Sequence, residues 1–345
     1  MTRLALRTSA RAMKQVLRQA KKVGKTPVVK AAATRKRAVA KRASGASARA
    51  RPKAAPGLAA HWTSGVALGA GGARRYRLFK PTGVQRGERL PLVVMLHGCS
   101  QDAAAFAAST RMNRLAQTER FLVLYPEQDR LANLQNCWSW YDTRAGRAQR
   151  EADSIASAVE QVCLTQPVNR NHIGLAGLSA GASLAALLAV RLPGRFRAVV
   201  MHSGVAPGMA SSGATALGAM RARRTAVPLA ALAEGSHLPA LLVIQGQSDA
   251  LVAAGNGAMA AQLWAQCEGA RPGAARTVQR GKRYPAQVTD YRARGRLVAT
   301  LCEVQRLGHA WSGGAASQSF SDPQGPDASR MAWAFMRKQF ALPGG

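Results

Sequence analysis

Short apolar segments recur along the chain, and all but the first of them end at a small or turn-forming residue. They are RYRLFK from Arg75, LPLVVMLHG from Leu90, FLVLYP from Phe121, HIGLAG from His172, AVVMHSG from Ala198 and ALLVIQG from Ala240. The first alternates in the manner of a strand, and the others are apolar runs of buried-strand length. The pattern therefore predicts a β-strand at each of these segments.

Helix-like stretches lie between these strands, at residues 104–119, 151–163, 183–191 and 257–267. Apolar strands that alternate with helices are typical of a mostly parallel sheet with helices on both faces, so the predicted fold class is α/β. Such sheets carry their chemistry at the carboxyl ends of the strands. The less regular region 206–238 is interpreted either as part of a substrate entrance or as an ordinary loop.

The beginning of the chain has a different composition. The formal net charge is +33, no acidic residue precedes Glu88, and the first residues are rich in lysine, arginine and alanine. Such a segment buries too little apolar surface to offset its ordering entropy, which predicts a disordered basic tail at 1–60 before a folded domain at 61–345. The tail would attract nucleic acid, anionic lipid or a negatively coated particle. The alternative is a tail that only solubilises the chain.

No run of about eighteen apolar residues appears, so we expect no transmembrane segment. The start, MTRLALRTSARAMKQVLRQAKK, lacks the compact apolar core and cleavage site of a secretory signal. Read literally, the protein stays in the cytoplasm, although a wrongly chosen start codon would hide a signal. The five cysteines are an odd number in a long chain and do not indicate a small disulfide scaffold.

Ser179 lies in a G-x-S-x-G frame within GLAGLSAGASLAALLA, residues 174–189. A serine hydroxyl becomes a good nucleophile when a base takes its proton and the backbone presents its oxygen clear of the strand. A nucleophile elbow does this with a sharp strand-to-helix turn whose flanking glycines avoid collisions. Gly177 and Gly181 supply that clearance, and a predicted strand and helix lie on either side. Ser179 is therefore the predicted nucleophile.

The elbow predicts its partners in the chain order serine, acid, histidine. Asp249 follows an apolar strand in VIQGQSDALV, and His309 follows another strand in EVQRLGHAWSGG, so these are the predicted acid and base. Their alternative roles are a turn or helix-cap residue and a surface-loop histidine. Asp290 is the fallback acid, although it lies inside a predicted strand. The other histidines precede Ser179 or Asp249: His61, His97, His172, His202 and His237.

Acyl transfer also needs hydrogen-bond donors for the developing oxyanion. The backbone N–H of Ala180, next to the nucleophile, is the first predicted donor. The second is the N–H of Cys99, in the loop that ends the strand VVMLHG. His97 is interpreted as a structural residue of that turn. The sequence shows no metal-ligand spacing, phosphate loop or dinucleotide fingerprint, so we expect no metal and no cofactor.

Four segments carry a resemblance to a known family: LHGCSQD, NCWSWYD, GLSAGAS and GHAWSGG, the last followed by SDPQGPDASR. Over about residues 75–340 the chain resembles the esterase family that includes poly(3-hydroxybutyrate) depolymerases, a branch of the α/β-hydrolases related to feruloyl and acetylxylan esterases. The resemblance implies an α/β-hydrolase fold and ester hydrolysis by Ser179, Asp249 and His309. It also implies a disulfide between Cys99 and Cys137 beside the oxyanion hole.

The chain departs from the family pattern in its basic tail, in the alanine of GLSAGAS and in the poorly matched excursion after MHSGVAPGMA. Family members are commonly exported, which makes an extracellular location the alternative to a cytoplasmic or granule-associated one. Trp138, Trp140 and Trp311 cluster near the motif segments. They are interpreted as contacts for an acyl chain or an aromatic ester, with core packing as the alternative.

The leading hypothesis is a serine esterase that acts on short hydroxyalkanoate esters or on the polyester itself, held on a polymer granule by its tail. The alternative enzyme cleaves feruloyl or acetyl esters of polysaccharides. A third hypothesis is a polyanion-binding protein whose hydrolase domain is vestigial. A broken triad would support that hypothesis, and none of the three positions is broken.

Deleting residues 1–55 is expected to abolish binding to duplex DNA or another polyanion and to leave turnover of a soluble ester intact. Anisotropy titrations over a salt series test this, because contacts between tail cations and phosphates make affinity fall steeply with salt. Binding of DNA by the truncated protein as tight as that of the full chain would contradict this division of labour.

Overall fold

A computed structural model describes residues 62–225 and 237–342. The predicted tail lies outside these residues, and so does part of the irregular region, residues 226–236. The strands are β1 Trp62–Ala67, β2 Arg74–Phe79, β3 Leu90–Leu96, β4 Leu122–Pro126, β5 Val168–Leu178, β6 Ala198–His202, β7 Ala240–Gly246, β8 Arg271–Pro272, β9 Arg276–Val278, β10 Ala286–Ala293, β11 Arg296–Val304, β12 Trp311–Ser312 and β13 Ser321–Asp322. The helices are α1 Ala103–Thr110, α2 Met112–Glu119, α3 Arg147–Thr165, α4 Ala180–Arg191, α5 Gly213–Met220, α6 Gly255–Cys267 and α7 Ala328–Phe340.

One large sheet contains most of the described strands, in the order β1-β2-β4-β3-β5-β6-β7-β11-β10-β8, with β9 also paired to β10. The run β4-β3-β5-β6-β7-β11 is parallel throughout. Antiparallel pairs are confined to its two edges, at β1 and β2 and at β10, β8 and β9. The predicted mostly parallel sheet is confirmed.

The central strands are buried on both faces, which explains their continuous apolar sequences. In β3, Leu92, Val94 and Leu96 enter one core and Val93 and Met95 the other. Helices α3, α4, α5 and α6 complete the first core, and α1, α2 and α7 complete the second. Helices on both faces of the sheet are therefore confirmed.

The predicted helix at 104–119 is two helices, because the chain breaks at Arg111. This residue has a left-handed conformation (φ 55°) and closes α1 by donating its backbone N–H to Ala107 O. Its guanidinium Nη2 reaches the backbone carbonyls of Gly313 and Gly314 in a distant loop. Neither glycine nor proline marks the break, so the apolar pattern alone did not show it.

Two histidines are buried where β3 and β6 end. Nε2 of His97 accepts the backbone N–H of Gln128 (3.2 Å), and Nε2 of His202 accepts that of Ser312 (3.0 Å). Both rings are therefore neutral in the folded protein. Burial lowers the pKa of His97 from 6.5 to about 4 and the pKa of His202 from 6.5 to about 3.

The free energy of unfolding is expected to fall as the pH drops from about 7.5 to about 5. In this range the unfolded chain protonates both histidines and the native protein does not, which costs roughly 2 kcal/mol per histidine. Urea denaturation followed by tryptophan fluorescence at the two pH values measures this loss.

His202→Gln is the control, because glutamine can still accept the N–H of Ser312 but does not titrate. Its loss of stability between the two pH values should be smaller than that of the parent by roughly 2 kcal/mol. The same pH dependence in both proteins would show that His202 does not contribute.

Candidate active site

Ser179 lies at the sharp turn between β5 and α4. Its φ of 57° and ψ of −122° are strained for a residue with a side chain, as a nucleophile elbow requires. Its backbone N–H donates to His202 O (2.8 Å). A Cβ on Gly177 would lie 2.4 Å from the Gly181 backbone, and a Cβ on Gly181 would lie 2.2 Å from Leu96 O. Close backbone packing therefore requires both glycines of the frame.

Asp249 and His309 form a hydrogen-bonded pair. The distance from His309 Nδ1 to Asp249 Oδ2 is 2.8 Å, and Asp249 Oδ1 accepts the backbone N–H groups of Leu251 and Val252, each at 2.9 Å. Burial acts to raise the pKa of Asp249, but the charge of His309 and the hydrogen bonds bring the pKa below its ordinary value. The ionised carboxylate holds the imidazole with Nε2 as the nitrogen that can accept a proton.

The parallel sheet brings the three predicted triad positions to the carboxyl ends of its strands. Ser179 directly follows β5, Asp249 follows β7, and His309 follows β11. These strands are parallel members of the order β5-β6-β7-β11, so their carboxyl ends point the same way. Doubly wound α/β sheets carry their chemistry at this end of the strands.

Asp290, the fallback acid, is engaged elsewhere. It lies in β10, where Arg276 Nη1 donates to its Oδ2 (3.0 Å) and Thr300 Oγ1 donates to its Oδ1 (2.7 Å). The carboxylate that the structure pairs with His309 is that of Asp249. The geometry therefore favours the first choice of acid over the fallback.

His202 belongs to this site, although it precedes Asp249 in the chain and so does not fit the order expected of the catalytic histidine. Its backbone O accepts the N–H of Ser179 and its Nε2 accepts the N–H of Ser312, three residues after His309. Its ring stacks on Trp311, with 5.1 Å between ring centroids. His202 thus links the elbow to the histidine loop. In the sequence, the signal that could have placed His202 at this site was its position at the end of an apolar run.

The predicted oxyanion donors lie on neighbouring segments. Ala180 is the first residue of α4, where backbone N–H groups have no intrahelical acceptor. Within the described ranges, the N–H of Cys99 donates to no backbone or side-chain acceptor. A Cβ on Gly181 would lie 2.5 Å from His97 O, so the start of α4 packs directly on the turn that carries Cys99.

The turn after β3 is held by its own side chains and by a disulfide. Cys99 is bonded to Cys137, with 4.2 Å between the Cα atoms, so the bridge implied by the resemblance is present. Gly98 N donates to Gln101 Oε1 (3.1 Å), and His97 Nδ1 bonds Gly98 O (2.9 Å). His97 is fully buried in these contacts, which agrees with its interpretation as a structural residue.

The tryptophan prediction requires correction. Trp138 and Trp311 are completely buried, and their indole N–H groups donate to His97 O (2.9 Å) and Ser329 Oγ (3.1 Å). Neither ring has surface for a substrate, because both fill the core beneath the strand ends. Trp140 is 8% exposed and borders a small cavity with residues of α4 and of the segment after β6. Of the three, Trp140 stays a candidate for substrate contact.

The described residues contain no group of three or more His, Cys, Asp and Glu side chains arranged to hold a metal ion. No helix in the same ranges is long and apolar enough to cross a membrane. The groups that the site does supply are a hydroxyl, an imidazole, a carboxylate and backbone amides. This set is the one used in nucleophilic acyl transfer.

Residues 74–277, more than half of the chain, match the family described as Esterase PHB depolymerase. Poly(3-hydroxyalkanoate) depolymerase C of Paucimonas lemoignei is 33% identical over 175 residues, which cover 48% of this chain and 42% of that protein. "Probable acetylxylan esterase A" of Aspergillus clavatus is 29% identical over 120 residues, which cover 34% of this chain and 38% of that protein. The chain therefore spans less than half the length of these relatives.

A solved structure of the same architecture is the acetyl xylan esterase from Aspergillus awamori. It matches with a TM-score of 0.57 and 17% identity, and the match covers 68% of this chain and 89% of that one. At this identity the likeness concerns the fold, and it agrees with the parallel sheet and the elbow described above. With its central region matched at residues 74–277, the chain belongs to the Esterase PHB depolymerase family and has the α/β-hydrolase fold.

Proposed function

We propose that the protein is a serine carboxylic-ester hydrolase with Ser179, His309 and Asp249 as its catalytic triad. The observation that carries the proposal is the 2.8 Å bond between His309 Nδ1 and Asp249 Oδ2, at the sheet edge where Ser179 occupies a strained elbow. The family membership supports ester chemistry. The retained pair and elbow also favour an active enzyme over a vestigial scaffold.

The proposed reaction has two stages. Ser179 Oγ attacks the ester carbonyl carbon and passes its proton to His309 Nε2, while Asp249 stabilises the imidazolium. The oxyanion accepts hydrogen bonds from the N–H groups of Cys99 and Ala180. The C–O bond then breaks, and the alcohol leaves with the proton from His309. Water, deprotonated by His309, attacks the acyl-enzyme carbonyl, the bond to Ser179 Oγ breaks, and His309 returns the proton to Ser179 as the acid leaves.

Hydroxyalkanoate esters are the substrates that we propose first, because the family and the relative from Paucimonas lemoignei both carry the name of a depolymerase of such polyesters. Acetyl esters of polysaccharides are the second candidate, favoured by the relative named as an acetylxylan esterase. Attachment of the enzyme to an anionic granule surface through residues 1–60 is a further part of the proposal. Those residues lie outside the described ranges.

Ser179→Ala is expected to lower kcat on p-nitrophenyl butyrate by about a millionfold, because the nucleophile is lost. Asp249→Asn is expected to lower kcat on the order of ten-thousandfold, because the imidazole loses the partner that sets its tautomer and stabilises its charge. Steady-state release of p-nitrophenol measures both changes.

Two variants serve as controls for these losses. Asp290→Asn removes the carboxylate of the fallback acid and should keep the kcat of the parent. Ser157→Ala removes a hydroxyl from α3 that donates to Asp153 O, and it should also stay active. A large loss in Asp290→Asn with little change in Asp249→Asn would overturn the proposed acid.

Incubation with amorphous poly(3-hydroxybutyrate) is expected to release 3-hydroxybutyrate or its short oligomers, and Ser179→Ala should release none. Chromatography of the soluble products measures this release, beside acetate release from acetylated xylan in the same preparations. Release of acetate without attack on the polyester would reject the first substrate class in favour of the second. No Ser179-dependent product from either polymer or from p-nitrophenyl esters would overturn the proposed function.

A further inference from the structure

The turn that carries the second oxyanion donor, residues 97–101, is braced by one neighbouring segment, residues 135–139. We call these the oxyanion turn and the brace. Four consecutive residues of the brace each bond to the turn. These contacts are Ser100 N to Gln135 O (2.7 Å), Asn136 Nδ2 to Gln101 O (3.3 Å), the disulfide between Cys137 and Cys99, and Trp138 Nε1 to His97 O (2.9 Å).

A buried polar cluster of Arg74, Gln128 and Glu151 holds the brace in turn. Gln128 Nε2 donates to Cys137 O (3.1 Å) and to Glu151 Oε1 (2.6 Å), and Ser139 N donates to Glu151 Oε2 (2.7 Å). Arg74 Nη1 donates to Gln128 Oε1 (3.0 Å). The cluster thus connects Cys137 and Ser139, the brace residues on either side of Trp138, to strand β2, to the segment after β4 and to helix α3.

Trp138 is enclosed between the cluster and the oxyanion turn. The guanidinium of Arg74 lies 5.2 Å from the centroid of its indole ring, and the ring of His97 lies 5.1 Å from it on centroids. The side chains of Arg74, Gln128 and Glu151 are all buried. Burial lowers the pKa of Arg74 and raises that of Glu151, so the interior penalises both charges. Such a cluster costs stability unless its members are fully hydrogen-bonded, and it then imposes one geometry on what it contacts.

The group whose orientation matters for the oxyanion hole is the peptide between Gly98 and Cys99. Its carbonyl, Gly98 O, accepts from His97 Nδ1 (2.9 Å), and its N–H is the predicted oxyanion donor. Glycine leaves this peptide free to rotate unless its neighbours are held, and Ser100 after it has a left-handed φ of 64°. The His97 carbonyl, directly before Gly98, is the group that Trp138 holds.

We propose that Trp138 is a positioning residue for the oxyanion hole, held in place by Arg74, Gln128 and Glu151. The inference rests on the proposed function, since it concerns the donor of the same site. Trp138 does not touch the substrate. Its indole N–H fixes the His97 carbonyl and thereby aligns the Cys99 N–H with the oxyanion. This alignment matters in the transition state more than in the bound ester.

Trp138→Phe tests the role, because it removes the N–H and keeps an aromatic ring. Trp264→Phe is a matched control: Trp264 is also completely buried, and its Nε1 donates to Pro239 O (2.8 Å) in the core. We expect Trp138→Phe to lower kcat on p-nitrophenyl butyrate about 10- to 100-fold with KM within about twofold, as a misplaced donor does. Trp264→Phe should keep kcat within about twofold at a comparable loss of stability to urea.

Inhibition by an alkyl trifluoromethyl ketone separates this role from a purely structural one. Ser179 Oγ adds to the carbonyl carbon of the ketone and forms a hemiketal whose oxyanion occupies the same hole. The affinity of Trp138→Phe for this inhibitor should fall by the same factor as its kcat/KM. Affinity in Trp264→Phe should stay at the value of the parent.

Glu151→Gln is a second variant, to be used where Trp138→Phe does not accumulate as folded protein. It keeps the side-chain volume and an acceptor for the Ser139 N–H, but weakens the bond from Gln128. We expect a several-fold lower kcat with an unchanged KM.

Three results would overturn the inference. The first is a folded Trp138→Phe with the kcat and inhibitor affinity of the parent. The second is an equal loss of kcat in the two tryptophan variants. The third is unchanged kcat in Glu151→Gln when that variant replaces Trp138→Phe. Failure of the proposed function is distinguishable, because the parent itself would then show no Ser179-dependent turnover, and the inference would fail with it.

Discussion

The close packing of α4 on the carboxyl end of β3 is the constraint on which the site depends. A Cβ on Gly181 would lie 2.2 Å from Leu96 O of β3, and a Cβ on Gly177 of β5 would lie 2.4 Å from the Gly181 backbone, so neither position has room for a side chain. This close packing forces the strained turn at Ser179 and brings the first amide of α4 beside the turn that carries Cys99. One steric condition therefore sets both the exposure of the proposed nucleophile and the spacing of the proposed oxyanion donors.

The electrostatics of the site follow from where the parallel strands end. The carboxylate of Asp249 is buried, but its hydrogen bonds to His309 and to two backbone amides keep it ionised. His202 is equally buried with no carboxylate bonded to its ring nitrogens among the described residues, so it stays neutral and acts as a hydrogen-bonding link. The two histidines thus differ in what they bond: His309 bonds a carboxylate, and His202 bonds a backbone amide.

Much of the fold could be predicted because local patterns report on it directly. Continuous apolar runs predicted the central strands, the G-x-S-x-G frame predicted the elbow, and the family resemblance implied the bridge between Cys99 and Cys137. The break at Arg111 was not predicted because neither glycine nor proline marks it, and the carbonyls that the Arg111 guanidinium contacts lie about two hundred residues away. The roles suggested for Trp138 and Trp311 were wrong, since a tryptophan in the core and one in a substrate cleft look the same in a sequence.

By itself, the sequence determined the fold class, the chain order of the proposed triad and the need for glycine on both sides of Ser179. These properties depend on local periodicity and on residue type, which neighbours along the chain reveal. Only the tertiary structure decided that Asp249 is the carboxylate bonded to His309, that His202 links two loops, and that Arg74, Gln128 and Glu151 enclose Trp138. Such contacts join residues far apart in the chain, and their energies depend on burial and distance, which exist only once the sheet has formed.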